Sequence, residues 1–121
     1  MPSTCEHKEQ YLHNKRLIES AGFRCNFADW FITALFYGAI HLVECELAQK
    51  GDGWHTTNHD MRRNAIAREQ TLKPVLSAYI TLHNESVRAR YGCVAFTPQD
   101  LKTAEEKFKE IETHLLGSIK Q

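Results

Sequence analysis

The stretch from Asn26 to Lys50, NFADWFITALFYGAIHLVECELAQK, limits the fold more than any other part of the chain. Wound as a helix, it sets Phe27, Trp30, Phe31, Ala34, Leu35, Gly38, His41, Leu42 and Cys45 on one side. Ile32, Phe36, Ala39, Ile40, Val43 and Leu47 fall on another. A helix that is apolar on two sides must be covered on two sides. The segment is therefore expected to be a central helix with other helices, or a second subunit, laid around it. A membrane span needs about 20 apolar residues in succession. Asp29, His41, Glu44 and Glu46 interrupt the run, so the expectation is a core helix and no membrane partner.

With 121 residues, the chain is sized for a single domain spanning 1–121, with one core of four or five helices. The 15 basic and 15 acidic residues cancel. That excludes a globally basic surface for nucleic acid and leaves only a local patch. The N-terminal MPSTCEHKEQ lacks the apolar core of a signal peptide. The cysteines Cys5, Cys25, Cys45 and Cys93 lie far apart with no C-x-x-C pair. This spacing suits reduced thiols in a cytoplasmic protein and argues against structural zinc. Cys45, inside the apolar run, reads as a small buried hydrophobe.

Around the central helix the periodicity places four more. Thr4–Ala21 carries a narrow stripe through Tyr11, Leu12, Lys15, Leu17 and Ile18, and Gly22 suits the position past its end. Phe23–Cys25 reads as a connection, with Asn26 or Asp29 capping the central helix. The Gly51-Asp52-Gly53 loop stops that helix, and Trp54–Asn58 reads as an ordered loop. Asn58 caps a third helix over His59–Glu69, with Met61, Ala65 and Ile66 inward and Arg62, Arg63 and Arg68 outward. Pro74 favours a fourth helix from Thr71 or Pro74 to Tyr91. Val75, Leu76, Tyr79, Leu82, His83 and Ser86 share one of its faces. Thr97-Pro98-Gln99-Asp100 is a helix start, opening a fifth helix to Ile119 on Leu101, Ala104, Phe108, Ile111, Leu115 and Ile119. No period-two segment or internal repeat is present. The expected class is all-α: an up-and-down bundle of four long helices plus a short one.

The residues that could carry chemistry are histidines and arginines. His41 faces the densest part of the central helix, where a ligand, a base or a packed neutral ring are the alternatives. Di-iron bundles need inward carboxylates on four helices and two Glu-x-x-His motifs. Here His41 and Glu44 run in the opposite order and only once, His55 and His59 span a loop-to-helix junction, and no metal or other cofactor is expected. If the third and fourth helices pack antiparallel, His59, Arg62, Arg63, Arg88, Arg90 and Tyr91 gather into one basic, partly aromatic cluster suited to phosphate or RNA. The same arginines could instead cap helix ends and pair with Asp29, Asp60 or Glu44. No G-x-S-x-G or glycine-rich phosphate loop is present.

The run FYGAIH, then His59-Asp60-Met61-Arg62-Arg63-Asn64, then the helix ending Ser86-Val87-Arg88-Ala89-Arg90-Tyr91, resembles the HEPN domains, particularly small bacterial stand-alone members. The likeness spans about Leu12 to Ile119. It implies a four- or five-helix bundle, a homodimer, and a link to RNA cleavage or nucleotide binding in toxin–antitoxin and defence systems. The ribonuclease members carry an arginine followed after four to six residues by a histidine. None of Arg16, Arg24, Arg62, Arg63, Arg68, Arg88 and Arg90 has a histidine at that distance, so that catalytic pair has no counterpart here. The expected function is a dimeric HEPN-like helical module binding RNA, a nucleotide or a protein partner, and the balance of signs is against an enzyme. The alternatives are a metal-independent ribonuclease using His59, Arg62 or Arg90, and Tyr91, and a structural, antitoxin-like subunit.

Overall fold

The computed structural model describes residues 3–51, 54 and 56–117. Among them every regular element is helical. They are α1 (Thr4–Ile18), α2 (Phe23–Asn26), α3 (Ala28–Ala48), α4 (His59–Arg68), α5 (Leu76–Tyr91) and α6 (Pro98–Leu116), with a 3-10 turn at Lys73–Val75 before α5. The sequence expectations at Asp52, Gly53, His55 and Ile119 lie outside the described residues.

As its two apolar sides require, α3 is the centre, and α1, α5 and α6 all pack on it. Phe31, Ile32, Leu35, Phe36, Ala39, Leu42, Val43, Cys45 and Leu47 are all buried. Among the described residues α3 is the one helix long and apolar enough to cross a membrane, yet 78% of its apolar window lies inside the protein. It is a core helix. Its N-terminal turn departs from the sequence reading. Phe27 and Trp30 are 55% and 59% exposed, because no helix among the described residues covers that end of the stripe. Neither Asn26 nor Asp29 caps it: the N-cap is Phe27, with no side-chain bond.

Four long helices alternate in direction. His7 of α1 meets His41 of α3, and Thr4 meets Cys45, so α1 and α3 are antiparallel. Asp29, Trp30 and Thr33 at the start of α3 line one groove with Ala89, Arg90 and Tyr91 at the end of α5, and Glu44 near the end of α3 lies close to Tyr79 near the start of α5, which sets α5 antiparallel to α3. His114 of α6 donates its Nε2–H to the Thr71 carbonyl in the turn before α5, while Arg88 lies at the Asp100 end. The buried stripe of α6 is the expected one, Leu101, Ala104, Phe108, Ile111 and Leu115. Thr97 and Asp100 form a reciprocal capping box behind Pro98.

Gly22 does not close α1, which ends at Ile18. At φ 77° it instead turns the chain into the one-turn α2. Glu112, on the nominally charged face of α6, is 5% exposed and accepts from Tyr11 and from Lys15 Nζ at 2.5 Å. One carboxylate thus ties α6 to α1. Burial and that carboxylate push the Tyr11 phenol well above its usual range.

At Gly38 the Phe108 ring of α6 packs directly on the backbone of α3. A Cβ there would stand 3.0 Å from the Phe108 ring and 3.9 Å from Ile18. Alanine gains about 1 kcal/mol of helix propensity, against a few tenths of an ångström of ring displacement, so Gly38→Ala is expected to be near neutral. Gly38→Val adds branches with nowhere to go and is expected to cost about 2 kcal/mol, read as a lowered urea midpoint with an unchanged slope.

Candidate anion-binding site

The site is built on one face of α5, where Tyr79, His83, Ser86 and Arg90 recur at helical spacing between α3 and the shorter α4. Asn58 caps α4 by accepting from the Met61 amide at 2.8 Å. This aims the first turn, with His59 and Arg62, at α5. Met61, expected inward, is 43% exposed. Arg62, expected outward, takes the inward place instead. Its side chain is 11% exposed and its Nε lies 3.1 Å from Glu44 Oε1. Polar attraction to a buried carboxylate overrides the apolar stripe here.

Glu44 is 2% exposed. It accepts from Arg62, from the Thr56 amide at 3.4 Å and from the Thr56 hydroxyl. This pins both the loop before α4 and α4 itself onto α3. Arg62 also donates to the Tyr79 oxygen at 3.4 Å. The Tyr79 hydroxyl is then left to donate to His59 Nδ1, 2.9 Å away, which places the neutral ring's proton on Nε2.

His59 and His83 stack face to face, with centroids 3.5 Å apart and planes 8° from parallel. Burial and then the neighbouring ring hold the His59 pKa below its usual value. Burial and then Arg90 do the same for His83. Arg62 and Arg63 repel a proton on either ring. Both imidazoles are thus neutral at pH 7, and an anion among these arginines would raise their basicity.

The expected cluster is divided. Antiparallel packing puts His59 opposite His83, not opposite the end of α5. Arg90 belongs to the site because it lies two turns beyond His83 on the same face. Arg63 is exposed on α4 and forms no ion pair among the described residues. Arg88 points away, held by both oxygens of Glu85 at 2.9 and 2.7 Å and lying over Phe96. Tyr91 is 74% exposed beside Arg90. Glu44, Tyr79, His83 and Tyr37 were not in the sequence-derived set. The shared face of Tyr79, His83 and Ser86 was the available signal.

Arg90 is fixed in place. Its Nε donates to the Ser86 carbonyl at 3.2 Å, Nη2 to the Ser86 hydroxyl at 3.3 Å and Nη1 to the Tyr37 hydroxyl at 3.4 Å. Its guanidinium lies 5.9 Å from the Tyr37 ring and 5.3 Å from the Tyr91 ring. A guanidinium has five N–H donors. Three are used, none of them on a carboxylate. No group of three or more histidine, cysteine or acidic side chains gathers to hold a metal among the described residues.

His41 is the remaining candidate. It is half-buried at the edge of α3, away from the densest core, with its Nδ1 3.1 Å from Nδ1 of His7. The ring centroids are 5.4 Å apart, about the sum of that distance and the two short centre-to-nitrogen offsets. The nitrogens therefore meet head-on, the geometry of one shared N–H hydrogen bond. Compared with known proteins, the chain matches no protein-family model, no curated protein and no solved structure.

Proposed function

We propose that the chain is a HEPN-like helical binding module that takes single-stranded RNA, or a nucleotide, by its phosphate at the α4–α5 face. The observation that carries this reading is Arg90. It is oriented by three hydrogen bonds and two aromatic rings, keeps two N–H groups without an acceptor among the described residues, and has no carboxylate partner. An arginine held in this way is organised for an incoming phosphate before binding. Arg63 adds a second unpaired charge nearby, and His59 and His83 can take up a proton when an anion arrives. A homodimer and a cytoplasmic setting belong to the same reading.

Binding of a fluorescently labelled RNA, followed by anisotropy, is the test. Arg90→Ala is expected to weaken binding about tenfold and to lower the salt slope by about one. Arg90→Lys is expected to recover only part of the loss, because an ammonium lacks the fork. Unchanged affinity in Arg90→Ala would remove the reading.

A second reading is favoured by the stacked pair. Two neutral imidazoles beside arginines are the groups a metal-independent ribonuclease uses for proton transfer and charge stabilisation. Cleavage of the same RNA in the presence of chelator, lost in His59→Ala and in His83→Ala, would support it. Intact RNA would leave the binding module.

A further inference from the structure

Beyond the phosphate contact, the surface beside Arg90 has the composition of a base-reading groove. A groove of about 330 Å³ runs between α3 and α5, walled by Asp29, Trp30, Thr33, Tyr37, Arg90 and Tyr91. Trp30 and Tyr91 are 59% and 74% exposed, and neither is used to cover the core. Large exposed aromatics beside a cation are what single-stranded bases stack on, because every base presents a π-face whatever its sequence. Bases paired in a duplex have that face covered, so the geometry suits an unpaired strand. The volume is at the small end for ligand clefts, the size of one nucleotide and not of a folded element.

Asp29 makes the groove selective. Its carboxylate forms no ion pair among the described residues. Its backbone carbonyl accepts from the Thr33 hydroxyl at 2.9 Å. An acid in the first turn of α3 complements the helix dipole, but next to an unpaired arginine it opposes a phosphate. The two charges are compatible with one ligand when the phosphate sits on Arg90 and the carboxylate receives donors from the base. Guanine offers two adjacent donors, its ring N–H and its amino group, to one carboxylate. Adenine and cytosine offer an amino group, and uracil a single ring N–H.

Resting on the RNA-binding reading above, we infer that the Asp29–Trp30–Tyr91 groove is a base subsite that prefers guanine in single-stranded RNA. Trp30 and Tyr91 stack the base, Asp29 reads its donor edge and Arg90 holds the adjoining phosphate.

The experiment compares two labelled oligomers of about eight nucleotides, a length a small groove of this type accommodates. One is all uridine and the other carries a single central guanosine, each titrated with the full chain. The guanosine oligomer is expected to bind about fivefold tighter. Asp29→Asn is expected to abolish that preference, so that the two oligomers bind alike. Tyr91→Leu is expected to weaken both about tenfold, with melting temperature and mass in solution unchanged. Equal affinity for the two oligomers, with Arg90→Ala still weakening both, would overturn the base subsite and leave the RNA-binding reading standing. Failure of the wild type to bind either oligomer would overturn both. A Tyr91→Leu chain of half the native mass would assign the groove to a second copy of the protein and overturn the subsite.

Discussion

Replacing Glu44 with alanine is expected to destabilise the fold by about 3–5 kcal/mol, a large fraction of what a domain of this size has in hand. The carboxylate is 2% exposed and the Arg62 side chain 11% exposed. Removing the acid leaves a guanidinium in a poorly hydrated place facing the Tyr79 oxygen. It also removes the acceptor of the Thr56 amide and hydroxyl. The loss belongs to the orphaned partners more than to the attraction itself. For that reason Glu44→Leu combined with Arg62→Met is expected to be milder than Glu44→Ala alone, since no charge is then left unmatched. Chemical denaturation of the two single variants and the double variant closes the cycle. Additive losses would mean that the pair does not couple. Because Arg62 orients Tyr79, and Tyr79 orients His59, Glu44→Ala should also loosen the stacked histidines, so RNA affinity is expected to fall in the fraction that remains folded.

That dependence shows which parts of the molecule were legible in the amino-acid order. The central position of α3 follows from its two apolar sides, and the start of α6 from Thr97-Pro98-Gln99-Asp100. Both are local patterns whose cause lies within one or two helical turns. Arg62 was half legible: Glu44 was among the acids offered to the arginines as partners, but the side chain was expected to point outward. Its inward course is set by Glu44, eighteen positions earlier, and a pattern that counts apolar residues ranks Met61 ahead of it. Glu112 escaped for the same reason, since its partners Tyr11 and Lys15 lie at the other end of the chain. The site was half visible. His59, Arg62, Arg63 and Arg90 do gather at one face, but Arg88 is neutralised by Glu85 one turn before it. His83 enters only through the register of α4 against α5, which no local feature of either helix specifies. Exposed Trp30 reads in sequence as one more member of an apolar stripe. Only the absence of a covering helix, among the described residues, at that end of α3 turns it from core into surface.

Acidification is expected to unfold the protein earlier than its carboxylates alone would require, and the cause is His41. Burial first, then the facing His7 and then Arg62, push its pKa down to about 4, with Glu44 opposing. In the unfolded chain the same ring titrates near its ordinary value, about 6.5. The folded state therefore binds fewer protons than the unfolded state between these values, and stability rises with pH across the window. Read in the other direction, stability present above pH of about 6.5 is lost as pH falls toward about 4. The head-on Nδ1 pair supplies the structural reason: it has room for one proton between the rings, and a second sets two N–H groups against each other. The two-and-a-half-unit difference corresponds to roughly 2–3 kcal/mol after allowing for the part of the ring that water reaches, or about 10 °C of melting temperature in a domain of this size. His59 and His83 are shifted in the same direction, so they steepen the same limb. Glu6 and Asp100, held low by their caps, act only at more acid pH. Melting temperatures recorded between pH 7.5 and 4 in wild type and in His41→Gln separate these contributions. The variant is expected to lose about half of the drop above pH 4.5 while keeping the carboxylate limb below it. A variant curve parallel to wild type throughout would show that His41 does not carry the effect.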